Sequence, residues 1–550
     1  MNLKIKRLDH HGIVSGVIDD LRVVELIDQQ LPQDEKQEIT PGEAVKGMIM
    51  NGLGFSNRPL SLSPQFFTNL PLEHLFRTGV EASHFNRHKL GRTLDQCYDF
   101  GCESLFSLLA HQACEIEQVD TKFNSLDSTS YSLTGQYACD EEDTSDGDEI
   151  PIQIKHGYSK DHRPDLKQVV QEMIVSQDGG IPLACKNWDG NASDTTIFKE
   201  RAKALVEEFK ATDAPKFCVA DSKLYHQANA EFLSQLNFIT LIPSTIKLER
   251  QHIDNALKQN DWINLDDNYR YVVVKVNHFD MAQRWLVVYS QAAHERAQKS
   301  VKRQVAKELS TLEKNLFHLQ AQRFACETDA LKALAELAKK QKYHHLTHTE
   351  SIAHNQYEGK GRPKKNAPVK SVNWQVLGNI SVNEAAKAQR IEQKSCFVLA
   401  TNASKNDLSD EEIFYRYKAQ SSVERGFRFL KDPLFFVSSL FIKKPSRIDA
   451  LLMVMTLSLL VYSIAQRRLR ANMAQVQATV PNQINQPTAT PTLRWIFQCF
   501  EGINLVQVDN CYEYSKIHLD GMDELRRRVI YYLGGRAQHL YKNRNFTPGV

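Results

Sequence analysis

Residues 122–135 read KFNSLDSTSYSLTG. Aromatic and polar β-formers surround a single acid, Asp127, and Gly135 closes the run as a turn residue closes a strand. An acidic loop follows, Asp140 to Glu149. Then DLKQVVQEMIVSQDGGIPLACKNW (165–188) places two apolar runs on either side of Asp178-Gly179-Gly180, the pattern of a hairpin. Ser193 is a capping residue for a helix from about Asp194 to Lys210. After Pro215, KFCVAD is a short apolar strand that ends on Asp221. Strand, hairpin, helix, strand is the order of one mixed sheet with helices on its faces, an α/β core.

Outward from this core, residues 1–118 read as a separate helical domain. Apolar positions recur at threes and fours in VSGVIDDLRVVELIDQQL, and Thr40-Pro41 starts a further helix. Residues 222–405 are heterogeneous. Strands are expected at 269–277 and 284–290, then helix over 291–342, where Val305, Leu309, Leu312, Leu316 and Leu319 step by four and three. A helical hairpin folded on itself accounts for that rhythm. A basic loop, GKGRPKK (359–365), precedes more strand-like pieces at WQVLGNISV and SCFVLAT. Residues 406–475 carry a helix over 409–432 and the apolar run Ala450–Ala465. Residues 476–550 form a C-terminal helical region.

That apolar run is 16 residues long, short of the roughly 20 that a membrane span needs, and is expected as a buried helix. The N-terminus lacks the apolar stretch of a signal peptide. Ten cysteines form no Cys-x-x-Cys pair, so reduced thiols in a cytoplasmic protein are expected. Net charge is +2, from 68 Lys and Arg against 66 Asp and Glu. Such a sum does not announce a nucleic-acid binder, but it conceals local clustering. No Walker-type glycine loop is present, which leaves nucleotide hydrolysis without support. Gly147 in the acidic loop fits an EF-hand poorly, and His10-His11 and His344-His345 lack partner ligands at metal-binding spacing.

Carboxylates at adjacent strand ends suffer desolvation and mutual repulsion. A divalent cation relieves both. Oxygen donors suit magnesium or manganese, and two such ions about 3.5–4 Å apart can activate a water and stabilise a leaving oxygen at a phosphodiester. An Asp at a strand end is also an ordinary cap, so each is weak evidence alone. In SDEEIFYRYKAQSSVERGFRFLKD (409–432), Tyr417, Gln420, Glu424 and Lys431 fall on one face of an α-helix, within roughly 60°. Val423, Phe427 and Leu430 make the neighbouring apolar stripe.

The run Tyr417-x-x-Gln420-x-x-x-Glu424-x-x-x-x-x-x-Lys431 resembles the Tyr–Arg–Glu–Lys signature of one large group of bacterial insertion-sequence transposases. LDSTSYSLTG, VADSKLY, GYSKDHRPDLKQ and GNASD resemble the same group, over roughly residues 119–465. The resemblance implies an RNase H-like core over 119–221 and 406–475, interrupted by a β-rich and helical insertion. It implies a catalytic, metal-binding triad of Asp127, Asp221 and Glu424 with two Mg2+ or Mn2+ ions. Tyr417 and Lys431 would contact phosphates, and Gln420 stands where the group has Arg, which loses a charged bidentate grip. Relatives stack an aromatic on a displaced base; Trp285 is the candidate, with Trp262 and Trp374 competing and a buried core role open to each.

Arg362 and Lys364 in the basic loop resemble an AT-hook, with an ordinary basic loop as the alternative. Arg467–Arg470 and Arg526–Arg528 are either phosphate contacts or solvated faces. The implied function is cutting terminal inverted repeats and joining 3′-hydroxyl ends to target DNA. The implied partners are double-stranded DNA and a second copy in a synaptic dimer, with neither membrane nor nucleotide. Two alternatives stay open: a repurposed DNA-binding derivative, and a nuclease without strand transfer.

Overall fold

The first strand, β1 (Asn2–Arg7), pairs antiparallel with Asn504–Asp509. That segment pairs with Ser515–Asp520, which pairs with Arg544–Phe546, so the two ends of the chain share one four-stranded sheet. The computed structural model describes residues 2–55, 59–135, 137, 151–193, 197, 200, 201, 204, 216–358, 367–432, 442–509, 515–542 and 544–546. They form two compact units, one of residues 1–240 with 412–550 and one of residues 241–411. The acidic loop 140–149, most of the helix expected over 194–210, and Arg362 and Lys364 lie outside the described residues.

In the larger unit, β2 (Phe123–Leu133), β3 (Lys167–Ser176), β4 (Pro182–Trp188), β5 (Phe217–Ala220) and β6 (Asn237–Leu241) stand in the order β4-β3-β2-β5-β6. β3 is antiparallel to β2 and β4, whereas β5 is parallel to β2 and β6. β2 lies in the middle and is buried on both faces, as a central strand must be. Its burial first relaxes at Asp127. The β3–β4 turn uses Gly179 and Gly180 at φ of 88° and 69°, a left-handed backbone that glycine alone adopts without cost.

The helix Pro445–Gln475 runs through this unit, and every residue from Ala450 to Ala465 is buried. A helix apolar on all sides demands neighbours all round, and the N-terminal helices supply some of them. Ile13, Ile49, Leu94 and Phe106 belong to the same hydrophobic cluster as Met173, Val423 and Leu457. Residues 1–118, expected to stand apart, therefore share one core with the sheet. The helix Pro41–Leu53 starts as the sequence predicts, with a Thr40–Glu43 capping box and Pro41 in its first turn, worth about 1 kcal/mol.

The unit 241–411 holds β7 (Ile263–Asn264), β8 (Tyr269–His278), β9 (Met281–Ser290) and β12 (Cys396–Thr401), in the order β12-β9-β8-β7. A long hairpin, β10 (His344–Tyr357) with β11 (Val369–Val382), stands separately. The expected helical hairpin is present as Gln291–Ala321 and Glu327–Lys339, with Leu316, Ala330 and Leu334 buried together against Val376 of β11.

Candidate active site

The parallel register of β2 with β5 ends at Leu126 opposite Ala220. One step further sets Asp127 beside Asp221, on neighbouring strands that lie about 4.8 Å apart. Asp127 Oδ1 accepts the Ser128 N–H at 2.7 Å, and Asp221 Oδ1 accepts the Lys223 N–H at 2.9 Å. The Thr240 hydroxyl donates to the Asp221 carbonyl at 2.8 Å, which fixes the turn after β5. Burial pushes the Asp127 carboxyl up to about 6; the Ser128 bond and the Lys160 ammonium act against it, and the Asp221 charge adds to it. Lys223 Nζ stands 3.7 Å from Asp221 Oδ2.

A loop between β2 and β3, GYSKDHRP (157–164), supplies the cation. Gly157 and Gly190 pack backbone to backbone, where a Cβ on Gly157 would lie 2.1 Å from the Gly190 carbonyl. Gln168 Nε2 donates to that carbonyl at 2.7 Å and to the Tyr158 carbonyl at 3.2 Å. So anchored, the loop returns over β2. Lys160 Nζ donates to the Ser128 carbonyl at 2.5 Å and to its hydroxyl at 3.0 Å, and the Lys160 N–H donates to Ser130 Oγ at 3.1 Å. Lys160, Asp161 and Lys223 received no role from the sequence. Lys160 and Asp161 lie in the GYSKDHRP segment and Lys223 in VADSKLY, both of which carry the resemblance.

The segment 409–432 is not one helix. It forms Asp410–Ala419 and Ser421–Leu430, with Gln420 between them. The Gln420 N–H reaches the Tyr417 carbonyl and its own carbonyl takes the Val423 N–H, both at 3.1 Å, a tight three-residue step on each side. Such a step advances about 120° per residue instead of 100°, so the predicted common face is broken in phase. Tyr417 still faces the acids: burial pushes its hydroxyl up to about 12, and Asp221 and Glu424 add to the effect. Gln177 Nε2 ties the first helix to the sheet through the Arg416 carbonyl, at 2.8 Å, and Ser125 Oγ, at 3.1 Å. Val423, Phe427 and Leu430 are buried as the stripe predicts, and Glu424 is exposed. Gly426 passes between β3 and the apolar helix, with its missing Cβ 3.0 Å from Met173 Cε and 3.1 Å from Leu459 Cδ2.

Lys431 is paired within the protein, 2.7 Å from Asp161, with the Tyr131 ring 5.6 Å from its ammonium. Arg416, a possible substitute for the missing signature Arg, lies over the Phe123 ring and pairs with Glu412. Asp127 and Asp221 are thus brought together, with Tyr417 in the field of Asp221 and Glu424. Among the described residues no group of three His, Cys, Asp or Glu is close enough to hold a metal ion, so the three acids do not form a closed cage here.

Other candidates lie elsewhere or are occupied. Trp285 belongs to the unit 241–411 and is fully buried, its indole donating to Gln283 Oε1 at 2.8 Å. His252 and His278 pack edge-on to it at 5.6 and 5.8 Å, so neither face is open to a base. Arg467 pairs with Asp178, and Arg468 with Asp20 and Glu117. Arg526 and Arg528 bond backbone carbonyls, as does Arg527. Arg467 and Arg468 are structural ties, because their partners come from distant parts of the chain, whereas Arg526 and Arg527 bond mainly to the turn just before their own helix and to Cys499 and Glu501. His10 and His11 are buried, and burial lowers His10 to about 4. The eight described cysteines are free thiols.

A large mixed sheet bearing paired aspartates, with a glutamate on a later helix, defines an α/β protein with an acidic site built from oxygen donors. Residues 121–461 match the Transposase DDE domain family, and residues 3–111 match a domain of unknown function, DUF4277. The chain belongs to the Transposase DDE domain family; it is a DNA transposase, of a family whose activity is DNA cleavage and strand transfer and whose members generally use divalent metal ions. Among solved structures, a cryo-EM synaptic complex of piggyBac transposase with hairpin DNA aligns over 91% of this chain and 82% of that one, at 9% identity and a TM-score of 0.34. No curated protein matches.

Proposed function

We propose that this transposase serves an insertion sequence, cutting its terminal inverted repeats and joining the freed 3′-hydroxyl ends to target DNA by two-metal-ion transesterification. The observation that carries this reading is the β2–β5 register that sets Asp127 beside Asp221, within the segment matched by the family. The order β4-β3-β2-β5-β6, antiparallel on one side of β2 and parallel on the other, supports reading the sheet as RNase H-like. The partners are duplex DNA and a second copy of the chain, in a bacterial cytoplasm.

The side chains fit magnesium or manganese by chemistry. The donors are all carboxylate oxygens, and Asp127 is held desolvated beside a like charge, a strain that a divalent cation removes. Asp127, Asp221 and Glu424 would hold the ions, which when bound supply an activated water and a Lewis acid at the scissile phosphate. The protein's own residues do the rest. Lys160 and Lys223 offset carboxylate charge, Tyr417 presents a protonated hydroxyl toward the acids, and the Lys431–Asp161 pair closes the loop over β2.

The test is cleavage and joining of the element's own ends with magnesium, comparing the natural chain with Asp221→Ala. Undiminished cleavage by the variant sinks the assignment. Cleavage without joining by the natural chain indicates a nuclease. Site-specific binding with no nicking indicates a repurposed derivative.

A further inference from the structure

Residues 241–411 contain 26 Lys and Arg against 19 Asp and Glu. This unit carries +7, while the whole chain carries +2. Four of its helices, Lys247–Gln259, Gln291–Ala321, Glu327–Lys339 and Glu384–Ser395, line a groove of 1180 Å³. Gln304, Lys307, Thr311 and Asn315 line it from Gln291–Ala321, each three or four residues from the next and therefore on one helix face. Lys340 follows the second helix, and Gln389, Arg390 and Gln393 face in from Glu384–Ser395.

The lining is mostly polar, with cationic, amide and hydroxyl groups beside Leu319, Ala333, Leu337 and Ala386. Arg250, Lys307, Lys340, Lys342 and Arg390 contribute five positive charges, and Glu308 and Glu336 two negative ones. Glu308 is already engaged, accepting from the Lys342 and Tyr343 N–H groups and lying 3.0 Å from His344 Nδ1. None of the five cations makes a salt bridge to a described carboxylate, although the charges of Arg250 and Arg390 act on the buried Glu249 carboxylate beside them, which leaves Lys307, Lys340 and Lys342 as the groove's unopposed charges. Arg250 and Arg390 instead converge on one neutral acceptor, Gln393 Oε1, at 3.3 and 3.2 Å, while Gln393 Nε2 donates to Asp254 behind it.

Two guanidinium groups sharing one amide oxygen, flanked by unpaired lysines, form a ready anion site. We propose that this groove binds the phosphodiester backbone of DNA, without reading its sequence, as a second contact remote in sequence from the Asp127–Asp221 site. Charge complementarity selects the occupant, since phosphate contacts position a duplex through cations and neutral donors of this kind. The inference rests on the transposase reading only for the identity of the polyanion.

The test measures binding of the full-length protein to an unrelated duplex across a salt series, for the natural chain and for Lys307→Gln with Lys340→Gln. Both lysines are exposed, so folding is not at stake, and an equal thermal midpoint checks it. The expected result is roughly tenfold weaker binding, with a log–log salt slope shallower by about two. Unchanged affinity and slope overturn the proposal. Asp221→Ala run in parallel separates the two claims. Binding that depends on the groove lysines alongside a natural chain that never cuts refutes the enzyme reading alone. Cutting by a chain whose binding ignores those lysines refutes the groove alone.

Discussion

Replacing Gly190 by Ala puts a methyl group where the backbone leaves no room. The new Cβ falls 2.0 Å from the Gln168 carbonyl and 2.5 Å from the Lys155 carbonyl. Neither is a side-chain tip that can swing away, so the two segments must part by about 1 Å or more to restore ordinary contact. Parting breaks the Gln168 Nε2 bond to Gly190, the Gly190 N–H bond to Gln153, and the Gln168 N–H bond to Lys155, at 2.7, 2.9 and 2.8 Å. At about 1 kcal/mol each, with about 1 kcal/mol or more of overpacking, the cost is roughly 4 kcal/mol. That is a large share of a typical stability of about 5–15 kcal/mol. Lys160 and Asp161 follow Gly157 closely in the displaced loop. Cleavage should therefore fall by about 100-fold, the scale of a 1 Å misplacement near an active site. Urea unfolding and end cleavage measure the two effects. Gly378→Ala is the control, because its Cβ would meet nothing nearer than Thr349 Cγ2 at 3.6 Å, and its change should stay within about 0.5 kcal/mol. A Gly190→Ala protein as stable and active as that control refutes the account of why the loop sits where it does.

Three more outcomes are expected. Asp127 has a folded value raised to about 6 from 3.8, so its contribution to stability is full below 3.8 and is lost as pH rises through 6; Asp127→Asn, inactive in cleavage, should gain about 1.5 kcal/mol on the natural chain between pH 5 and 7.5 without metal, and thermal midpoints that keep a constant gap contradict this. Trp285→Ala should lose about 3–5 kcal/mol as a core deletion; an unchanged melting curve with a selective defect in end processing restores the base-stacking role. Asp161→Asn releases Lys431 from its partner and should tighten end-DNA binding roughly two- to fivefold, as read by titration at fixed salt; weaker binding shows that the lysine serves the loop and not the phosphate.

The strands bearing Asp127 and Asp221 and the Gly179-Gly180 turn were legible because their signals are local. Side-chain type marks a central strand, and paired glycines mark a turn that needs positive φ. The helix around 450–465 was legible as an apolar element, but its length was not: Pro445–Gln475 is long and apolar enough to cross a membrane, and its burial among the other helices is what marks it as core. The break at Gln420 had no such signal. Neither Gly nor Pro stands there, and the sequence runs on with helical periodicity. What bears on it is tertiary: Gln177 holds the Arg416 carbonyl from the sheet while Gly426 locks the second helix between Met173 and Leu459. The hairpin strand β10 was missed because HHLTHTESIAHNQY is polar and largely exposed, with little apolar alternation to read.

The same limit explains the charges. A run such as Arg467–Arg470 looks like a surface patch because its partners, Asp20, Glu117 and Asp178, lie hundreds of residues away. The fold commits Arg467 and Arg468 to its own carboxylates and Arg470 to the Pro491 and Thr490 carbonyls, so they have less to offer a phosphate. The lysines that line the groove of 241–411 are the opposite case. They are scattered through helices that read as ordinary solvated faces, and the chain total of +2 hides them. Phosphate binding depends on which cations stay unneutralised after folding, not on how many the sequence holds. By that criterion the groove lysines Lys307, Lys340 and Lys342 are better candidates for the proposed DNA contact than the paired Arg467 and Arg468, and a clustered run of arginines is a poor guide to where a transposase touches its substrate.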